Sequence, residues 1–271
     1  MEPIKRSHWQ TYLIEAWALG TFMVVASAVV IVVQHPALPV RAALPSTWLR
    51  RGLIGVVMGL TAVGLIYSRW GKQSGAHLNP AVTLAQWQLN RISTPNALAY
   101  VAAQFVGGWL GVALMHGLFP AYMTHPDVNY AVTIPGPTGV WVALVLEFMM
   151  AFVLLTMVLT LSNSRQLAPY TGYFVGLVVA LYITVEAPYS GMSINPARTV
   201  SSAVWANDWS GWWLYFLGPT AGMWLAGWLF RRRYRRLHGE CRSMTMHLSG
   251  RPNGCATYQV LWWSEETPEN Q

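Results

Sequence analysis

The stretch that decides the fold is Ser190-Gly191-Met192-Ser193-Ile194-Asn195-Pro196-Ala197-Arg198, which lies between apolar segments that are each long enough to cross a bilayer. Asn is a favoured capping residue at the start of a helix. Pro is tolerated in the first turn, because the N–H that it lacks would be unpaired there. The stretch therefore predicts a polar loop and a helix start at membrane depth.

A second copy of this pattern occurs earlier, at Ser74-Gly75-Ala76-His77-Leu78-Asn79-Pro80-Ala81. The helices expected to follow the two loops cover 79–89 and 195–205. Both are too short to span a membrane, which takes about 20 residues. Two half-length helices in corresponding places of two halves indicate an inverted-repeat membrane protein whose path runs along the repeat interface.

The composition excludes a soluble domain. Of the 271 residues, 54% are hydrophobic and only 10% are charged, whereas soluble domains average about 25% charged residues. The net charge of +7 does not indicate nucleic-acid binding, because five arginines are concentrated in 231–236, directly after the last apolar segment. That position is typical of a stop-transfer cluster and of contact with anionic lipid head groups.

The predicted fold is all-α, with six transmembrane helices and two re-entrant half-helices. The expected order is an N-terminus (1–8), a first repeat (9–119) with half-helix 79–89, a connecting loop (120–138), a second repeat (139–230) with half-helix 195–205, and a polar tail (231–271). The tail has no packed-core pattern and is expected to be disordered. Lys and Arg predominate on the side of the termini, which predicts that both are cytoplasmic, although Arg50 and Arg51 count against it.

The two halves share features beyond the loops. Glu15 in the first span has a counterpart, Glu147, in the fourth. Glycines spaced by four, which let helices approach closely in lipid, recur in corresponding spans as Gly55/Gly59 with Gly172/Gly176 and Gly107/Gly111 with Gly218/Gly222. With three spans per half, such a duplication places the second half upside down.

Enzymatic and metal-dependent functions find no support in the sequence. The two cysteines, Cys241 and Cys255, follow the last span, and with His238 and His247 they match no zinc-binding spacing. They are expected to be reduced thiols in the tail. Neither a nucleophile–base pair nor a phosphate-binding loop is present, so we expect no cofactor, no metal and no catalysis.

The chain resembles the aquaporin (major intrinsic protein) family over about residues 9–230. The resemblance is carried by the two Asn-Pro-Ala motifs with their flanking residues, by Glu15 followed by Gly20-Thr21, by Glu147 and by Ala103-Gln104. It implies an integral, multi-pass membrane channel that is passive and homotetrameric, with one pore per subunit. The expected cargo is water, with ions and protons excluded.

The resemblance and the physics of helix ends imply the same mechanism. Each half-helix directs its positive N-terminal end at the bilayer centre and so repels cations. The motif residues Asn79, Pro80 and Ala81 in the first half and Asn195, Pro196 and Ala197 in the second form this centre. Cap bonds hold the asparagine oxygens, which leaves their NH₂ groups to donate to a passing solute. Backbone carbonyls of the loops supply acceptors.

Four further residues are expected to support the loops rather than to carry flux. Glu15 and Glu147 are intramembrane carboxylates; the resemblance implies that they brace the loop backbone, and a proton relay is the alternative. His77 is assigned to the loop structure rather than to a metal site. For Gln104, a helix–helix hydrogen bond is favoured over a role in the pore.

The resemblance also places Arg198 in a narrow filter. Counting from the motifs adds Met58, Ile183 and Met192, with Gly59 and Tyr182 as the near alternatives to the first two. The ring is apolar and departs from the aromatic and histidine residues of typical water-selective members. Thr199, where glycerol facilitators usually carry Asp, favours water instead. The alternatives are a broader facilitator for glycerol, urea, ammonia or hydrogen peroxide, and a low-flux structural membrane protein.

Overall fold

The computed structural model describes residues 8–245, with side chains up to residue 233. The first half of the chain forms seven helices: α1 (Trp9–Gln34), α2 (Pro39–Ala43), α3 (Thr47–Tyr67), α4 (Arg69–Ser74), α5 (Pro80–Gln88), α6 (Thr94–Leu118) and α7 (Pro120–Met123). The second half forms five: α8 (Val140–Ser162), α9 (Thr171–Val185), α10 (Ala187–Ser190), α11 (Pro196–Ala206) and α12 (Leu214–Thr245). Short 3₁₀ turns lie at Asn129–Ala131 and Ala168–Tyr170.

The described residues form helices, turns and loops with no β-strand, and the all-helical membrane fold is confirmed. Five segments are long and apolar enough to cross a membrane: α1, α3, α6, α8 and the stretch Ala168–Val185 that contains α9. The sixth predicted span falls in α12. That helix is rich in Trp and Gly and runs into the arginine cluster, so it is less apolar than the others.

The long helices pack in equivalent pairs, α1 with α6 and α8 with α12, while α3 and α9 pack against each other between the halves. A Cβ atom added at Gly107 would lie 2.0 Å from the Ala16 carbonyl oxygen. One added at Gly222 would lie 2.3 Å from the Phe148 carbonyl oxygen. Ala16 and Phe148 follow the two equivalent glutamates, so Gly107 corresponds to Gly222. The expected pairing of Gly107 with Gly218 was therefore wrong by one helical turn.

The predicted disorder of 231–271 is wrong for its first part. Helix α12 continues from the apolar segment to Thr245. The stretch Arg231–Thr245 contains no proline and consists largely of good helix formers, so the helix has no local reason to end at the membrane surface. Residues 246–271, including Cys255, lie outside the described residues.

Two ends of the bundle are distinguished below. The terminus end is the one where α1 begins and Arg231 lies. Helix α5 runs towards it, because Arg231 donates a hydrogen bond to the carbonyl oxygen of Gln88 at 3.1 Å. The opposite, distal end carries the loop 124–139, against which α11 packs through the 3₁₀ turn Asn129–Ala131. The two half-helices thus extend in opposite directions from the middle of the bundle.

The contact between α3 and α9 generates a stability prediction. A Cβ atom at Gly59 would lie 2.4 Å from the Gly176 carbonyl oxygen, whereas one at Gly64 in the same helix would meet nothing within 4 Å. We expect Gly59→Ala to destabilise the protein by about 1–3 kcal/mol through overpacking. The matched Gly64→Ala should be neutral or slightly stabilising. Thermal unfolding in detergent measures both, and equal melting temperatures for the two variants would contradict the close approach.

Candidate pore and its two facing loops

The loops before the half-helices have the same unusual backbone. Each contains a glycine and two larger residues in the left-handed region, where side chains other than glycine are sterically disfavoured. The φ angles are 85°, 49° and 53° at Gly75, Ala76 and Leu78, and 79°, 51° and 47° at Gly191, Met192 and Ile194. A conformation that is unfavourable in isolation but present twice requires the surroundings to hold it.

Glu15, fully buried on α1, holds the first loop. Its Oε1 accepts hydrogen bonds from the Ser74 hydroxyl at 2.8 Å and from the His77 backbone N–H at 3.0 Å. Its Oε2 accepts from the Leu78 backbone N–H at 2.8 Å and from Gln104 Nε2 at 2.8 Å. The carboxylate therefore provides acceptors for backbone donors that the loop cannot pair within itself.

Glu147 on α8 repeats the arrangement for the second loop. Its Oε1 accepts from the Ser190 hydroxyl at 2.8 Å and from the Ser193 N–H at 2.7 Å, and its Oε2 accepts from the Ile194 N–H at 2.6 Å. The equivalence extends to a tyrosine for which the sequence analysis predicted no contact with the loop. Tyr215 donates its hydroxyl to the Ser190 carbonyl oxygen at 2.6 Å, and Tyr100 donates to the equivalent carbonyl oxygen of Ser74 at 3.0 Å.

The halves differ behind the half-helices. In the first half, Gln104 also donates to the Thr83 hydroxyl at 3.1 Å, and His77 Nδ1 lies 3.0 Å from the same hydroxyl. Gln104 thus links α6 to Glu15 of α1 and to Thr83 of α5, as a helix–helix hydrogen-bond residue. It does not line the cavity described below.

In the second half, the side chain equivalent to Thr83 is Thr199. Its hydroxyl lies 2.6 Å from that of Ser193 and 2.9 Å from that of Thr133 in the connecting segment. Loop, half-helix and connecting segment are therefore fastened together at the distal side of the motif.

The two asparagines cap their own half-helices and bind the opposite loop. Asn79 Oδ1 accepts from the Ala81 N–H at 2.8 Å, while its Nδ2 donates to the Ile194 carbonyl oxygen at 2.6 Å. Asn195 Oδ1 accepts from the N–H groups of Ala197 and Arg198 at 3.1 and 3.2 Å. Its Nδ2 donates to the Leu78 carbonyl oxygen at 2.8 Å.

These cross-bonds modify the expected role of the asparagine NH₂ groups. An amide NH₂ has two hydrogens. Asn79 and Asn195 each donate one of them to a carbonyl oxygen of the opposite loop. One hydrogen on each amide remains for a solute. The two half-helix starts are consequently fixed to each other as well as to their own loops.

A continuous cavity of about 530 Å³ passes both asparagines. Along α3 its lining extends from Arg51 to Ile66, which are separated by about 22 Å at the helical rise of 1.5 Å per residue. Gln34 and Asp127 line it at the distal end, and Arg91 lines it at the terminus end. The cavity therefore runs through most of the thickness of a bilayer's hydrocarbon core.

The predicted filter residues Met58, Ile183, Met192 and Arg198 all lie on the wall of this cavity. The two alternatives do not line it. Gly59 faces Gly176 of α9, and the Tyr182 hydroxyl is 3.3 Å from the Met150 carbonyl oxygen. Arg198 Nη1 is buried and has no hydrogen-bond partner among the described residues, so a guanidinium donor is available at the cavity wall.

At the distal mouth the structure shows an ion pair that the sequence analysis did not single out. Arg41 of α2 binds the carboxylate of Asp127 in the connecting segment and the Gln34 carbonyl oxygen. The hydrogen bond from Arg41 keeps the pKa of Asp127 below its ordinary value. The pair links the end of α1 to the connecting segment at the rim of the cavity.

The model of the major intrinsic protein family matches residues 4–230. The chain is a member of the major intrinsic protein family. Members of this family are channels rather than enzymes, and the five long apolar helices make this chain a multi-pass membrane protein.

Three curated relatives are each about one-third identical in sequence to this chain over the aligned residues. Rat aquaporin-6 is 32% identical over 194 residues, which cover 71% of this chain and 67% of that protein. A probable aquaporin, AqpM, from Archaeoglobus fulgidus is 33% identical over 184 residues, 65% of this chain and 74% of that one. Rice aquaporin NIP1-1 is 32% identical over 178 residues, and the match spans 61% of its length and 65% of this chain.

Among solved structures, the aquaglyceroporin from Plasmodium falciparum superposes with a TM-score of 0.71. The alignment covers 83% of this chain and 96% of the other, at 18% sequence identity. At that identity the likeness shows the shared fold and leaves solute selectivity to other observations.

The brace on the second loop gives a prediction. In Glu147→Gln an amide NH₂ replaces one carboxylate oxygen, and it cannot accept a hydrogen bond. At least one buried donor of the loop is then left unpaired, which lowers the free energy of unfolding by about 1–3 kcal/mol. We expect a lower melting temperature and a marked loss of osmotic water flux in proteoliposomes. Asp208→Asn is the matched control, because it exchanges a carboxylate for an amide outside the two loops, where the side-chain Oδ1 can still accept the Ser210 N–H. Unchanged flux and stability in Glu147→Gln would contradict the bracing role.

Proposed function

We propose that this protein is a passive channel for water that excludes ions and protons. The observation that carries the proposal is the meeting of two oppositely directed half-helices at Asn79 and Asn195, on the wall of one continuous cavity. Each asparagine retains one amide hydrogen for a water oxygen, and the Leu78 and Ile194 carbonyl oxygens that the asparagines bind each have a second lone pair. A neutral hydrogen-bonding solute exchanges bulk partners for these at small cost.

Cation exclusion follows from fixed positive charge. The N-terminal ends of α5 and α11 face each other at the asparagines, so two positive helix ends raise the energy of a cation there. Arg198 adds a full positive charge at the cavity wall, on the distal side of the centre. A water oxygen at this point accepts from both asparagines, and the water donates to neither. This orientation interrupts the chain of hydrogen bonds along which a proton would pass.

The filter is proposed to consist of Met58, Ile183 and Met192 opposite the guanidinium of Arg198. Three apolar side chains give a passing solute few partners, so the arginine is the main donor at that level. Thr199, bonded to Ser193 and Thr133 behind the filter, keeps the α11 start in place without contributing a carboxylate. This arrangement favours water over solutes that require several hydrogen bonds.

A broader neutral-solute facilitator is the second candidate, and the same ring favours it. Methionine is flexible and adapts to differently shaped solutes, and two of the three apolar positions are Met58 and Met192. Glycerol, urea, ammonia or hydrogen peroxide would then share the path with water.

We further propose that the chain forms a homotetramer with one pore per subunit and that both termini are cytoplasmic. The orientation is supported by Lys72, Arg91 and Arg231–Arg233, which lie at the terminus end as expected for a cytoplasmic surface.

Stopped-flow light scattering on proteoliposomes tests the function. With an impermeant osmolyte we expect water flux well above that of empty liposomes, and with a glycerol gradient no increase over them. Flux of both solutes would favour the facilitator, and flux of neither would contradict a channel. In the variant arm, Arg198→Ala removes the charge and the main donor, so we expect glycerol and ammonium permeability to rise while water flux persists.

A mercurial test locates the filter. The only cysteines, Cys241 and Cys255, lie beyond the predicted spans, so we expect wild-type flux to resist mercuric chloride. Met192→Cys should become mercury-sensitive and recover with a thiol reagent, because position 192 lies on the cavity wall. Tyr182→Cys is the matched control, since residue 182 does not line the cavity. Block of the wild type, or resistance of Met192→Cys, would contradict the placement.

A further inference from the structure

A second concave surface lies outside the pore, along one face of α12. This groove has a volume of about 940 Å³, and Leu84 of α5 forms part of its wall. Its other lining residues recur at helical spacing on α12 and the preceding turn, among them Trp212, Leu217, Thr220, Ala221, Trp224 and Trp228. Thr220 is the one lining side chain with a hydroxyl, so the surface is otherwise apolar and aromatic.

The groove is open to the surroundings rather than filled by the protein. Trp212, Leu217 and Trp224 are 46%, 56% and 41% exposed. The part of the groove on α12, from Phe216 to Trp228, extends about 18 Å at 1.5 Å per residue. One leaflet of a bilayer's hydrocarbon core is about 15 Å thick. The groove is therefore long enough to hold a whole acyl chain from the leaflet at the terminus end.

Positive charge is fixed where the groove ends. The Arg232 guanidinium stacks on the ring of Trp228, 3.8 Å from its centroid. The stack holds the charged group at the groove's edge through a cation–π interaction. Its N–H groups make no hydrogen bond to a residue that the structure describes, so a planar set of donors that suits a phosphate is presented there.

The neighbouring charges strengthen this end. Arg231 is committed to the Gln88 carbonyl oxygen, and Arg91 lies over the Phe230 ring. The acidic residues whose side chains are described are either buried behind the loops or at the distal end, namely Glu15, Asp127, Glu147, Glu186 and Asp208. Within that part of the chain, nothing neutralises the arginines at the terminus end.

We propose that the α12 groove and Arg232 together form a binding site for one anionic phospholipid. An acyl chain lies against the aromatic face, and the phosphate binds the stacked guanidinium. The site differs from the general attraction of a basic segment to an anionic membrane, because one arginine is positioned by a groove-lining tryptophan. It is independent of what passes through the pore.

Native mass spectrometry of the full-length protein, titrated with phosphatidylglycerol and phosphatidylcholine, tests the proposal. We expect one phosphatidylglycerol per chain to be retained at concentrations at which phosphatidylcholine dissociates. Arg232→Gln should weaken phosphatidylglycerol binding at least tenfold. Arg233→Gln is the matched control, since it removes the same charge from the next residue, which no groove aromatic holds.

Equal loss in both arginine variants would overturn the site in favour of diffuse attraction. Equal retention of the two lipids would overturn the selection of an anionic head group. Displacement by soluble glycerol phosphate would show that the groove contributes nothing.

A variant that fills the groove tests binding of the acyl chain separately from binding of the phosphate. Ala221→Trp places a large side chain in the groove and leaves the arginines unchanged. We expect phosphatidylglycerol retention to fall while the melting temperature in detergent is maintained. If Ala221→Trp instead changes the oligomer mass and leaves lipid retention intact, a second copy of the chain occupies the groove and the lipid site is overturned.

Discussion

Backbone that is neither helix nor strand must have its polar groups paired when it lies at membrane depth, and this requirement shapes the centre of the protein. Two loops enter the bundle in left-handed conformations that their residues would not adopt alone. Glu15 and Glu147 accept the loop N–H groups, and the two tyrosines Tyr100 and Tyr215 donate to a loop carbonyl oxygen. These bonds hold each loop up to its asparagine, Asn79 or Asn195, which caps the half-helix that begins at the next residue.

The cross-bonds between the loops connect the two repeats mechanically. Asn79 donates to the second loop and Asn195 to the first, so neither half-helix can move without disturbing the other. The same atoms cap the helices and face the cavity. Structure and solute recognition therefore depend on one pair of side chains. The glycine contacts of α6 with α1 and of α12 with α8 hold the two helices that carry the carboxylates close to their neighbours.

The outer surfaces serve a different solvent from the pore. Lipid-facing tryptophans and leucines cover α12, and its arginines mark the boundary with the head groups. The helix continues beyond that boundary to Thr245 because helix formation there needs only favourable local residues, whereas burial in lipid needs apolar ones. We expect this continuous helix to pass from hydrocarbon to water at Arg231, where its composition changes from apolar to basic.

The sequence by itself determined the membrane class, the duplication, the two capped half-helices and the residues at their starts, because capping and span length are local properties of the chain. The sequence also marked Glu15 and Glu147 as intramembrane carboxylates that need partners, and the resemblance to aquaporins assigned them to the loops. The tertiary structure alone decided that Met58 rather than Gly59 faces the cavity, because the rotation of α3 is set by its contact with Gly176. It likewise decided the cross-bonds between the loops, the pair of Arg41 with Asp127 and the stack of Arg232 on Trp228. Each of these depends on how distant helices are turned towards one another, which no local pattern records.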